Sequence, residues 1–141
     1  MKVYVDSSLV VARILREPAA ASDWSRWQTI VSSELLKVEA FRVMDRLRLR
    51  GKLSDSEVAA MAALILAMVA RMERIPIGPA VLERASAPFP TMVHTLDAIH
   101  LASALAWMEE HGEPLVFATR DKQLALAARA CGLQVLGVRP E

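Results

Sequence analysis

The sequence is poor in the residues on which several chemistries depend. It holds one cysteine, Cys131, so an intrachain disulfide framework and thiolate zinc sites are excluded. Cys131 stands beside Gly132 late in a helical stretch, with no evident basic neighbour to activate it, and reads as a small buried hydrophobe. Of the five glycines (Gly51, Gly78, Gly112, Gly132 and Gly137), no two are spaced for a dinucleotide or P-loop fingerprint. The three histidines form no zinc-type pair. Neither sign of charge is in excess: 17 Lys plus Arg face 16 Asp plus Glu. A nucleic-acid site must therefore be a local patch and not a property of the whole surface. The longest uncharged apolar run, residues 58–70, falls short of the roughly 18 residues of a membrane span. The opening run, residues 3–5, is too short for a signal peptide. Together with the single cysteine, this places the expected location in the cytoplasm.

What is present is a chain built to fold. Hydrophobic residues make up 54% and charged residues 23%, the reverse of a disordered composition. With aromatics at only 5%, the core must come from Ala, Leu, Val, Ile and the seven Met. The length of 141 residues predicts a single domain over 1–141. Residues 2–5 read as a buried strand, and Asp6-Ser7-Ser8 as an N-cap cluster before a helix over 9–16 that stops near Pro18. A short helix follows over 19–27, then a strand over 29–31. Ser32-Ser33-Glu34 is expected to open a helix to about Arg50, with Gly51 as its stop. Ser54-Asp55-Ser56-Glu57 matches a capping box for a helix to about Met72. A weak strand over 74–77 precedes a short helix begun by Gly78-Pro79, and residues 87–90 form a loop. Thr95 is expected to cap a helix over 96–111 ended by Gly112. A strand over 115–119, a helix over 121–130 and a last strand over 134–138 complete the chain. Strands alternate with helices and no hairpin signal appears. The predicted fold is α/β, a parallel sheet with helices on both faces. In such sheets ligands bind at the carboxyl ends of strands, near a topological switch point.

Four acids stand out against that pattern. Asp6 ends the first strand and Asp121 follows the strand over 115–119, both on the ligand edge. Asp97 lies in the first turn of the long helix, and Glu39 inside the third. Hard divalent cations take oxygen ligands, which converging carboxylates supply. Without a cation such a cluster repels itself, and some members take up protons. Each acid also has a plainer reading. Asp6 and Asp121 can simply cap helices, Asp97 can favour a helix N-terminus, and Glu39 can pair with Arg42 on the helix surface. His94 and His100 flank Asp97. His100, one turn further on, can reach the same face or simply pack.

The ordered set resembles the PIN-domain nucleases. Val3-Tyr4-Val5-Asp6-Ser7-Ser8-Leu9-Val10 resembles the opening of that family, and Ser32-Ser33-Glu34-Leu35-Leu36-Lys37-Val38-Glu39 its middle motif. Leu96-Asp97-Ala98-Ile99-His100-Leu101-Ala102-Ser103-Ala104 is similar to its third acidic motif. Ala118-Thr119-Arg120-Asp121-Lys122-Gln123-Leu124, with Ala127-Ala128 and Gly132-Leu133, is similar to its fourth. The likeness spans essentially the whole chain in order, and the last two motifs are the specific ones. The compact size is similar to the VapC-type toxins of toxin–antitoxin pairs.

The resemblance implies a three-layer α/β/α fold and a Mg2+- or Mn2+-dependent endoribonuclease. It implies Asp6, Glu39, Asp97 and Asp121 as the catalytic acids, with Asp6, Asp97 and Asp121 on the metal. Glu34, which opens its helix, is a rival to Glu39 for the second place. Ser7, Ser8 and Thr119 match the supporting hydroxyls. An acidic pocket repels RNA unless cations bridge, and Arg13, Arg42, Arg46, Arg120 and Lys122 are candidates to hold flanking phosphates. A cognate antitoxin is the implied protein partner. Two other readings stay open: a PIN nuclease of RNA processing without an antitoxin, and a non-catalytic module that keeps the acids as scaffold. An aspartyl phosphotransferase is disfavoured, because Ser8 stands where its second Asp belongs. Finally, the helix over 58–70 has no polar face and is expected to meet another chain, most simply in a homodimer.

Overall fold

In a computed structural model of the chain, residues 1–18 and 24–140 are described. Five strands form one sheet: β1 (Lys2–Val5), β2 (Thr29–Ser33), β3 (Glu73–Ile75), β4 (Val116–Ala118) and β5 (Val135–Leu136). Every pairing is parallel, and the order across the sheet is β3-β2-β1-β4-β5. Among the described residues six α-helices connect them: α1 (Ser7–Ile14), α2 (Leu35–Leu49), α3 (Asp55–Ala70), α4 (Pro79–Ser86), α5 (Thr95–His111) and α6 (Lys122–Ala130). This is the three-layer α/β/α arrangement expected from strands that alternate with helices.

The period-two geometry of β1 divides the interior. Val3 and Val5 enter one core with Leu9 and Val10 of α1, Leu36 and Ala40 of α2, and Ile65 and Val69 of α3. Tyr4, between them, enters the other core with Leu101, Ala104 and Trp107 of α5 and Leu124, Ala127 and Ala128 of α6. Tyr4 stacks on Phe117 of β4 with ring centroids 5.2 Å apart. A strand buried on both faces reads as a continuous apolar run, which is why β1 was legible.

The connections fix where chemistry can occur. The chain passes from β1 outward to β2 and β3, then crosses back to place β4 and β5 on the other side of β1. The switch point lies between β1 and β4, whose carboxyl ends carry Asp6 and Thr119 side by side. At β5, Gly137 adopts φ +98°, and a Cβ there would lie 2.1 Å from the Thr119 carbonyl oxygen. Only glycine lets the chain cross so close behind β4.

Several local expectations are corrected. Ser32 and Ser33 extend β2, and the helix begins only at Leu35: Ser32 Oγ donates to the Val5 carbonyl of the neighbouring strand at 2.7 Å, while Ser33 Oγ, at the strand end, accepts from Leu35 N of the helix start at 3.1 Å. Thr95 is already helical and His94 stands at the cap, without a side-chain capping bond. Of the short helix expected over 19–27, residues 19–23 lie outside the described residues, and within them Trp24–Arg26 forms a single 3-10 turn. The capping box of α3 is complete, with Ser54 and Glu57 bonding each other's backbone. Cys131 is half-buried, and burial pushes its thiol up, away from reactivity.

Candidate functional site

Asp6 leaves β1 buried and saturated with donors. Its side chain caps α1 by accepting from Leu9 N at 3.2 Å. Ser8 Oγ reaches both carboxylate oxygens at 2.8 and 2.9 Å, and Thr119 Oγ1 donates to Oδ2 at 2.7 Å. These hydroxyls lock the two strand ends together, since Ser8 Oγ also accepts from Arg120 N and Thr119 Oγ1 from Asp121 N, both at 3.0 Å. Burial pushes the Asp6 carboxyl above the usual range, and the bonds from Thr119 and Ser8 pull against it. Asp121 caps α6, accepting from Leu124 N at 2.8 Å. Asp6 and Asp121 are thus both helix caps and strand-end acids at the switch point; the two readings of the sequence describe the same positions.

Asp97 differs. It lies in the first turn of α5, and none of the influences on it is a hydrogen bond. Its carboxyl is pushed up to about 6, first by burial, then by the charges of Asp121 and Asp6. Glu39 adds a smaller push in the same direction, and His100 opposes it. The four acids therefore lie in one electrostatic neighbourhood. Of the two rivals for the second place, Glu39 acts on Asp97, whereas Glu34 is exposed at the start of α2 and caps nothing with its side chain.

Glu39 does not pair with Arg42, which instead approaches Asp45 at 3.3 Å. Its carboxylate turns inward: Oε2 accepts from Ser7 Oγ at 3.1 Å, and Oε1 meets His100 Nε2 at 2.5 Å. His100 Nδ1 meets the Tyr4 hydroxyl at 2.7 Å. Both Tyr4 and His100 are fully buried. The role of Tyr4 had no signal in the sequence, because its partner is remote in the chain.

The expectation that all four carboxylates share one metal-sized pocket is not met. Among the described residues, no three His, Cys, Asp or Glu side chains are close enough together to hold a metal ion. The reason is local: Asp6, Asp121 and Glu39 are each turned toward hydrogen-bond donors of their own, and like charges keep their distance. Beside them a cavity of about 360 Å3 opens between Ser7, Ser8, Val43, Arg120 and Asp121.

The five candidate cations divide. Arg120 and Lys122 flank Asp121 and line a groove of about 790 Å3 together with Arg129 and Arg139, two residues the sequence reading missed. Arg120 also pairs with Glu17. Arg13 instead lies over the Trp24 ring, 4.7 Å from its centroid, and lines a different cavity with Leu64 and Arg71. Arg46 is exposed on α2, and Arg42 is held by Asp45.

Residues 3–130 match the family model of the PIN domain. The chain belongs to the PIN domain family. No curated protein sequence matches it closely enough to count as a relative. Among solved structures, a protein from Pyrobaculum aerophilum superposes with a TM-score of 0.57 at 18% identity, covering 96% of this chain and 83% of that one. A toxin–antitoxin complex from Klebsiella pneumoniae gives a TM-score of 0.59 at 15% identity, covering 96% of each chain. At these identities the superpositions speak for the PIN fold alone. The family is one of nucleases, so the acidic switch point is the place in this PIN domain to seek hydrolytic chemistry.

Proposed function

We propose that this PIN domain is a metal-dependent endoribonuclease and the toxin of a toxin–antitoxin pair, acting in the cytoplasm. The observation that carries the reading is the joining of Asp6 and Asp121 through Thr119 at the carboxyl ends of β1 and β4, with Asp97 of α5 near enough to be pushed up by their charges. A site that gathers negative charge and provides Asp97 with no donor is built to be neutralised by a cation. The donor set is all oxygen, which fits Mg2+ or Mn2+. Mg2+ usually keeps several waters and takes only one or two carboxylates with substrate oxygens, so a closed protein cage is not required. Asp97, with Asp6 and Asp121 behind it, is assigned to hold the ion. When bound, it would lower the pKa of a water and offset charge on the scissile phosphate.

The chain's own residues supply the rest. Ser8 and Thr119 hold Asp6 in one orientation, while Ser7 and His100 hold Glu39. The groove of Arg120, Lys122, Arg129 and Arg139 includes both chain neighbours of Asp121 and suits the phosphates flanking the cleaved bond. Single-stranded RNA is the substrate this reading names. The likeness to a toxin–antitoxin complex supports an antitoxin as partner. The outer face of α3 supports a homodimer, since Leu64 and Leu66 remain 43% and 49% exposed. Among the described residues no helix is long and apolar enough to cross a membrane.

The experiment is cleavage-site mapping on cellular RNA with the purified protein, in Mg2+, in Mn2+ and in EDTA, beside Asp97→Asn. Metal-dependent ends absent from the variant are expected. Equal cleavage in EDTA, or by the variant, would refute the reading. One observation favours a second reading, a binding module that keeps the acids as scaffold: Asp6 and Asp121 are both satisfied as helix caps. Mn2+ titration separates the two, because separate caps bind no ion.

A further inference from the structure

The chain of contacts Tyr4–His100–Glu39–Ser7 runs from the interior of the second core to the acidic edge. Its distances are 2.7, 2.5 and 3.1 Å. Its members come from β1, α5, α2 and the first residue of α1, so four elements must dock correctly before it closes. Capping accounts for Asp6 and Asp121, but nothing in helix or strand formation calls for a fully buried imidazole between a phenol and a carboxylate. Buried imidazoles must place both ring nitrogens, and here both are placed.

The donors and acceptors can be assigned from chemistry. A phenol holds its proton at neutral pH, so the Tyr4 hydroxyl can donate to Nδ1. The imidazole then carries its single proton on Nε2 and donates it to Glu39. If the ring is doubly protonated, Nδ1–H donates to the phenol oxygen and Nε2–H still donates to Glu39. Only the Nδ1–H tautomer turns an Nε2 lone pair against a carboxylate, and that contact is repulsive at 2.5 Å. A carboxylate gripped on one oxygen by His100 and on the other by Ser7 cannot rotate.

We propose that His100, itself oriented by Tyr4, is a positioning residue: its Nε2–H fixes the Glu39 carboxylate in the orientation the acidic site uses. The ring touches neither substrate nor ion. It acts through Glu39, much as buried partners orient the ligands of metal centres. The kinetic consequences rest on the nuclease reading given above, whereas the tautomer does not.

The test has two arms. In the first, 15N-histidine NMR of the intact protein reads the tautomer of His100. A protonated Nε2 hydrogen-bonded to Glu39 is expected, and an Nδ1–H tautomer with bare Nε2 would overturn the assignment whether or not the protein cleaves RNA. In the second, RNA cleavage is measured for His100→Leu, His100→Gln and Tyr4→Phe, with thermal melts as a check on folding. Gln presents an amide N–H where Nε2–H stood, while Leu fills the space without a donor. His100→Leu is expected to lower kcat by about 10–100-fold with little change in KM. His100→Gln should recover most of that loss. Tyr4→Phe keeps the stack on Phe117 and should fall between the two. A folded His100→Leu with wild-type kcat, or a His100→Gln no better than Leu, would also overturn the proposal. Should the wild-type protein cleave no RNA, the proposed activity falls, and the NMR arm alone decides the role of His100.

Discussion

Asp6 and Asp97 make an instructive pair. Burial pushes both carboxyls up, and the charge of Asp6 pushes Asp97 further. Around Asp6 the fold has assembled two hydroxyls and a backbone amide, so its charge is largely answered within the protein. Around Asp97, among the described residues, it has assembled no hydrogen-bond donor, and Asp121, Asp6 and Glu39 push its carboxyl up against His100 alone. One region is finished structure, the other stored charge. A site that must accept a cation and then a phosphate needs both kinds, a fixed frame and an unanswered charge held against it.

The largest expected effect comes from removing the unanswered charge. Asp97→Asn keeps the volume and deletes the ionisable group. Cleavage is expected to fall on the order of 100-fold or more, as when a main electrostatic contributor is lost from an active site. Stability should move the other way, rising by about 1 kcal/mol at neutral pH as crowding among like charges is relieved. Thermal melts in EDTA check the second half. A variant less stable than the parent would show that Asp97 belongs to the frame, and the contrast with Asp6 would be lost.

Thr119→Val applies the reverse operation to the frame. The fully buried Thr119 hydroxyl donates to Asp6 and accepts from Asp121 N, and valine replaces it with nearly the same shape. One donor to a buried carboxylate disappears and one amide loses its acceptor. A loss of about 1–3 kcal/mol is expected by denaturant unfolding, with the Asp6 carboxyl pushed further up. A neutral result would mean that Asp6 draws its support elsewhere.

The same contrast explains what the sequence could reveal. Features set by neighbours in the chain were legible: the buried run of β1, the Ser54–Glu57 capping box, the left-handed Gly112 after α5, and the caps at Asp6 and Asp121. The alternation of elements, with no hairpin signal, was enough for a parallel three-layer fold. Features made by distant contacts were not legible. Ser32 and Ser33 look like helix openers until the Val5 carbonyl is beside Ser32. Glu39 looks like a surface partner of Arg42 until α5 brings His100 against it. The acids were found by their placement at strand ends and by family likeness, but their orientation depends on which hydroxyls reach them. For that reason no ready-made cluster of three metal ligands stands among the described residues.

The smallest effect is the most direct reading of the stored charge. An ordinary aspartate has a pKa near 3.8, and Asp97 in the folded protein is pushed up to about 6. Between those values the folded protein binds more protons than the unfolded chain, so stability must fall as pH rises through that window. Asp6, also raised, contributes with the same sign. The gain from Asp97 is therefore complete below about 4 and gone above about 6. Partial exposure to solvent screens the shift, which leaves about 1 kcal/mol between pH 7.5 and pH 5. The measurement is the difference between wild type and Asp97→Asn in EDTA, followed by chemical unfolding across that range. Taking the difference cancels the titrating groups that do not interact with Asp97. The advantage of the variant at pH 7.5 should shrink to about half at pH 5 and approach zero only below about pH 4. An advantage that grows on acidification would mean that Asp97 is ionised and paired in the folded protein, as finished as Asp6, and the charge awaiting a cation would have to be sought elsewhere in the site.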